Sequence, residues 1–148
     1  MQFQVATLCD AAHEKDGKLY VWGTFDTICA EPPTAGSRIV HPQCAFAMRI
    51  CFQPGDEGDH ELVIRLIDDD GKPRFELPPA RIRVELPAET YSLTRNQVIG
   101  IRGLPFERFG QYSLDIIVDG EMHTRIPLRV MKVQKKQGRK PDQGETED

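Results

Sequence analysis

Residues 44–52 read CAFAMRICF. Cys44, Phe46, Met48, Ile50 and Phe52 fall on one side of an extended chain, with Ala45, Ala47, Arg49 and Cys51 on the other. Strict alternation with period two marks a strand with one buried face. The pattern returns in Leu62, Ile64 and Leu66, and again where Ile82, Val84 and Leu86 alternate with Arg81, Arg83 and Glu85. Asp-Gly, Pro and Gly clusters break these segments at short intervals. No segment carries a helical stripe, and stretches 10–16 and 31–38, which lack alternation, leave room for one helical turn at most. Strands are expected near 2–9, 18–29, 43–53, 60–67, 73–77, 81–87, 95–104, 110–118 and 121–133. Eight or nine such strands predict an all-β fold, an antiparallel two-sheet sandwich whose final hairpin has an immunoglobulin-like character.

Facing parity sets two hairpin registers. Around Asp119-Gly120, a two-residue loop places Ile116 opposite His123 and mixes core with solvent. A three-residue loop with Gly120 in a G1 bulge pairs Ile116 with Met122, Leu114 with Thr124 and Tyr112 with Ile126, and is expected for that reason. It also sets His123 across from Asp115. For Asp68 to Gly71, a four-residue loop sets Leu66 by Pro73, Ile64 by Phe75 and Leu62 by Leu77. Pro73 and Pro127 lack ladder donors, so each belongs on an edge, at a strand start or at a bulge.

The chain has 148 residues, of which 39% are hydrophobic. A domain of that length buries roughly two-thirds of its unfolded surface and needs no disulfide framework or metal to hold a core. No run of apolar residues is long enough for a membrane helix, and the first residues carry no secretory pattern, so a cytoplasmic location is expected. There Cys9, Cys29, Cys44 and Cys51 are expected as reduced thiols, and their spacing matches no zinc pattern. Residues 134–148 hold four basic and four acidic side chains and no Val, Ile, Leu or aromatic residue. They are expected to form a disordered polar tail after a sandwich domain of residues 1–133. The net charge of −4 therefore belongs to the body, which argues against nucleic-acid binding.

Four blocks occur in a familiar order: ATLCDAAHEKDGKLYVWGTFDTI (6–28), His41-Pro42, LVIRLIDDDGKP (62–73) and GQYSLDIIVDGEMHTRIPLRV (110–130). Together they resemble a group of small bacterial proteins carried as a domain of unknown function. The resemblance covers nearly the whole chain to about residue 131 and implies a freestanding β-sandwich, with no activity, cofactor or catalytic residue to carry over. Its most distinctive block reads as a hairpin turned at Asp16-Gly17, with Leu19, Val21 and Phe25 on one face and Tyr20 and Trp22 on the other. Aromatic residues at this spacing usually pack in a core; an exposed Trp22 serving as a ligand platform is the alternative.

The acidic clusters raise calcium first. Asp56, Glu57, Asp59 and Glu61 lie at one end of the strand at 60–67 and Asp68, Asp69 and Asp70 at the other, roughly 25 Å apart. One ion cannot use both groups, and solvated turns explain them. His13, His41, His60 and His123 have no metal-ligand spacing. Cys44 shares its face with Phe46 and Ile50, which favours a buried, inert thiol. No nucleophile elbow, phosphate loop, dinucleotide fingerprint or zinc-protease motif occurs, so the reading leans away from an enzyme and names no catalytic, cofactor or metal residue.

The expectation is a non-enzymatic cytoplasmic module for protein interaction or small-ligand binding, without a cofactor, contacting neither nucleic acid nor membrane. Asp10, Trp22, Asp26 and His41 form its candidate interaction surface. An open sandwich also has edge strands through which a homodimer would form. The alternatives are a cupin-like, metal-dependent sandwich enzyme whose ligands converge only in three dimensions, and a calcium-dependent C2-like module.

Overall fold

The computed structural model describes residues 1–133. Its strands are β1 (Gln2–Lys15), β2 (Lys18–Phe25), β3 (Thr27–Ala30), β4 (Ile39–Phe52), β5 (Gly58–Asp68), β6 (Pro73–Glu76), β7 (Ala80–Val84), β8 (Leu93–Phe106), β9 (Gly110–Val118) and β10 (Glu121–Lys132). One sheet has the order β2-β1-β4-β8 and the other β3-β10-β9-β5-β6, with β7 also on β5. All pairs are antiparallel except β3 with β10, which run parallel. The alternating residues of both sheets meet in one core, where Leu8, Phe46, Met48 and Phe106 from the first sheet join Ile64, Leu66, Leu114, Ile116 and Leu128 from the second. Each contributes about 1.5–3 kcal/mol by leaving water, so this shared face holds the sheets together.

The neighbour sets β1-β4-β8 and β5-β9-β10 match the A-B-E and C-F-G groupings of immunoglobulin-like sandwiches. A second hallmark lies between β8 and β9. The buried Tyr112 hydroxyl donates to the Arg108 carbonyl at 2.7 Å and accepts the Arg108 N–H at 3.4 Å, forming a tyrosine corner. The ring packs edge-on against Phe106.

Several local expectations are corrected. Residues 10–15 continue β1 past its expected end at 9 and hold no helical turn, β4 begins at Ile39, and the strand expected at 18–29 divides at Asp26, where the chain crosses from one sheet to the other. The β9–β10 turn is the two-residue Asp119-Gly120, with φ of 51° and 82°, as a type I′ turn requires. Parity is then restored by a bulge between Met122 and Thr124, which pairs Ile116 with Thr124, Leu114 with Ile126 and Tyr112 with Leu128. That bulge carries His123 onto Phe3 and leaves Arg125, not His123, opposite Asp115. A bulge likewise shifts the β5–β6 hairpin, so Leu66 faces Phe75 and Pro73 faces Ile67. Pro73 begins its strand, and Pro127 lies on the part of β10 that β3 does not cover, as their missing donors require. The polar tail at 134–148 lies outside the described residues.

Candidate functional site

Asp10 and Gly23 divide the β1–β2 hairpin into two halves. Register pairs flank them on both sides, Cys9 with Thr24 and Ala11 with Trp22, but Gly23 has a φ of +64° and breaks the pleat. A Cβ on Gly23 would lie 2.8 Å from Asp10 Cγ, so the carboxylate rests against the glycine backbone. Only glycine combines this φ with so close an approach.

Beyond the bend the hairpin folds over the outer face of the first sheet. Its turn is Asp16-Gly17, and the Gly17 carbonyl accepts hydrogen bonds from Arg49 Nη1 on β4 at 3.2 Å and Asn96 Nδ2 on β8 at 3.1 Å. Arg49 Nη1 also donates to Asn96 Oδ1 at 2.8 Å, which links the two latch residues. Underneath, Ala12, Leu19 and Val21 pack on a small second cluster of Cys9, Ala45 and Ala47, with Val98 beside them. Small side chains on β4 let the hairpin approach closely, and Ala47 is fully buried although it faces away from the main core.

With Leu19 and Val21 turned inward, strand alternation turns Tyr20 and Trp22 outward. His13 sits directly across from Tyr20 in the register. The three rings stack at centroid separations of 5.1 Å (His13–Tyr20), 4.9 Å (His13–Trp22) and 6.2 Å (Tyr20–Trp22), all within 24° of parallel. Trp22 remains 49% exposed and Tyr20 40%, so these rings form a ridge and not a core. Lys15 and Lys18, also register partners, close its outer end.

The candidate residues separate into two places. Trp22 is on the ridge and Asp10 at the bend beneath it. His41, on β4, tilts against Phe25 at 5.4 Å, and its Nε2 is buried with no hydrogen-bond partner among the described residues. Asp26 follows Phe25; its carboxylate accepts the Thr27 hydroxyl at 3.1 Å and its carbonyl the Arg129 N–H at 2.8 Å, which fixes the crossing between sheets. His41 and His60 do not converge: His60 stacks on Phe52 at the other end of β4, roughly 35 Å along the strand from His41. Sequence reasoning missed His13 and Tyr20 as members of the site. Their signal was the Asp16-Gly17 turn, which pairs 13 with 20 once residues 10–15 are taken as strand.

Other polar groups are engaged within the fold. His60 Nδ1 faces Asp119 Oδ2 at 2.7 Å and Nε2 faces the Asp56 carbonyl at 2.6 Å. Both partners only accept, so this geometry favours the imidazolium, in which both ring nitrogens donate. The Asp56 carbonyl first, and then Asp119, raise its pKa against the opposing effect of burial. Carboxylate oxygens of Asp68, Asp69 and Asp70 lie within 4.8 Å of one another, yet Arg74 takes Asp68 at 2.6 Å and Arg108 takes Asp69 at 2.6 Å and Asp70 at 3.0 Å. Guanidinium groups already engage all three carboxylates of that cluster. Burial, first of all, pushes the Cys44 thiol up to about 11, so it stays protonated and unreactive. A groove of 1070 Å³ lined by Pro32, Phe109, Arg129 and Met131 lies at the end of β10 and contains none of the candidate residues.

No curated protein matches the chain. A family model described as "Family of unknown function (DUF6941)" matches residues 4–131, which span both sheets and the folded-back hairpin. The chain therefore belongs to the DUF6941 family.

Proposed function

We propose that this chain is a non-enzymatic interaction module of the bacterial cytoplasm that engages a protein partner through the His13–Tyr20–Trp22 ridge. The observation that carries this reading is the exposure of two large aromatic rings, stacked with a histidine, on a hairpin held rigid by its bend and latch. Exposed Trp and Tyr are costly to leave in water and supply most of the energy where interfaces form. A rigid ridge loses little conformational entropy on docking. Its shape favours a protein over a small ligand, because small molecules bind in concave sites and this feature projects. The four free thiols agree with a reducing compartment.

The test is affinity capture from the native host with the intact chain, followed by titration of the recovered partner against Trp22→Ala and Tyr20→Ala. Trp22 is the only tryptophan, so its fluorescence reports directly on the ridge. The expected result is a blue shift on binding and a loss of affinity of about 30-fold or more in Trp22→Ala. Binding unchanged in both variants, with unshifted fluorescence, would overturn the reading.

A further inference from the structure

Sheet edges expose unpaired backbone donors and acceptors, and most edges of this sandwich are blunted. β3 is only 4 residues long, and β6 and β7, of 4 and 5 residues, are separated by Pro78-Pro79. The uncovered part of β10 contains the bulge after Met122 and then Pro127. β2 is bent at Gly23. β8 differs from all of these. It is 14 residues long, pairs on one side with β4 without a register shift, and ends its sheet. Gly103, with φ +73°, and Pro105 interrupt only its last part, so Leu93–Arg102 is a straight open edge. Among the described residues, its outer side has no backbone hydrogen bond.

The charge on this strand selects the occupant. LTRNQVIGIRGLPF contains Arg95 and Arg102 and no acidic residue. Both arginines are exposed, and neither has an ion-pair partner among the described residues. A second copy paired edge to edge would add two more arginines to this edge and no carboxylate to meet any of them. We infer that the β8 edge accepts an extended acidic segment of a partner protein, added as a further strand. Backbone hydrogen bonds along Leu93–Arg102 would supply affinity, and carboxylates of the incoming strand at Arg95 and Arg102 would supply charge selection and register. This surface is separate from the aromatic ridge and stands independently of it.

The probe is a synthetic eight-residue peptide with Glu at both ends and Val and Thr between, so that its two carboxylates fall seven residues apart and on opposite faces like Arg95 and Arg102. It is compared with its Lys-ended counterpart, each titrated into the full-length chain while backbone amides are followed by NMR and hydrogen exchange. The acidic peptide is expected to slow exchange of outward-facing amides in Leu93–Arg102, and the basic peptide to leave them unchanged. Arg95→Glu/Arg102→Glu, which changes only exposed side chains, is expected to weaken the acidic peptide by about tenfold or more and to strengthen the basic one. Equal response to both peptides, or protection appearing on another strand, would overturn the inference. So would β8 amides already protected in the free chain: protection rising with concentration would assign the edge to a second copy, and concentration-independent protection to the chain's own acidic end.

Discussion

The two sheets share one core but finish their outer faces by opposite means. The outer face of the first sheet is built from small and apolar residues, Cys9, Ala45, Ala47 and Val98, and is covered by the chain's own hairpin. Across the middle of the second's outer face runs a charge ladder. Glu76, Arg65, Asp115 and Arg125 are successive register partners across β6, β5, β9 and β10, with signs alternating at every step. Arg65 holds Glu76 at 2.9 Å, and Arg125 grips Asp115 through two bonds of 2.8 and 2.9 Å. A sheet face can therefore be completed by packing, which demands a shape, or by cross-strand ion pairs, which demand only register. The packed face carries the further consequence that its cover presents a new exterior, the aromatic ridge.

The largest test of this contrast is Gly23→Ala. A Cβ there meets the Asp10 carboxylate and must hold a φ of +64°, so the variant is expected to lose about 3 kcal/mol in urea unfolding. Adding Asp10→Gly removes the steric part only and should restore about half of that loss. Next comes Ala47→Leu, which overfills the seam under the hairpin and should cost about 2 kcal/mol. The matching change on the other face, Glu61→Leu, meets open solvent and should stay within about 0.5 kcal/mol. Equal costs for these two would erase the difference between the faces.

Arg125→Ala probes the ladder. It leaves the Asp115 carboxylate, 6% exposed, without its main partner and should cost about 1.5 kcal/mol near neutral pH. Arg125 is the leading cause holding the Asp115 pKa down. That contribution is present above the ordinary carboxylate range and lost as pH falls through the depressed value, so wild type and variant should converge in acid. The smallest expected effect is at His60, whose raised pKa gives the opposite sign. Its stabilisation is complete below about pH 6.5 and is lost as pH rises through the raised value. Melting curves from pH 5.5 to 8.5 should show a gentle decline in the wild type that His60→Gln flattens.

The core was legible because Phe46, Met48, Ile50, Leu62, Ile64 and Leu66 alternate without interruption, and period two admits only a strand with one buried face. Parity in the hairpins was legible for the same reason, but register was not. Bulges after Met122 and at Leu66/Ile67 each insert a residue that keeps the faces correct while shifting the partners, and hydrophobic pattern is blind to that shift. Residues 10–15 concealed a strand because their two sides, Ala12 and Glu14 against Ala11, His13 and Lys15, differ little in polarity. The exposure of Trp22 depends on which face the bent hairpin turns inward, a choice made by Ala45 and Ala47 far along the chain. The sequence placed Tyr20 and Trp22 on one side; it did not say which side was out.

Methyl NOE spectroscopy tests the folded-back hairpin most directly. The structure predicts cross-peaks from the Leu19 and Val21 methyls to the Ala45 or Ala47 methyls, with Trp22 ring protons close to His13 and showing none to Ala47. Absence of the Leu19 and Val21 cross-peaks, or Trp22 ring contacts to Ala47 in their place, would contradict it.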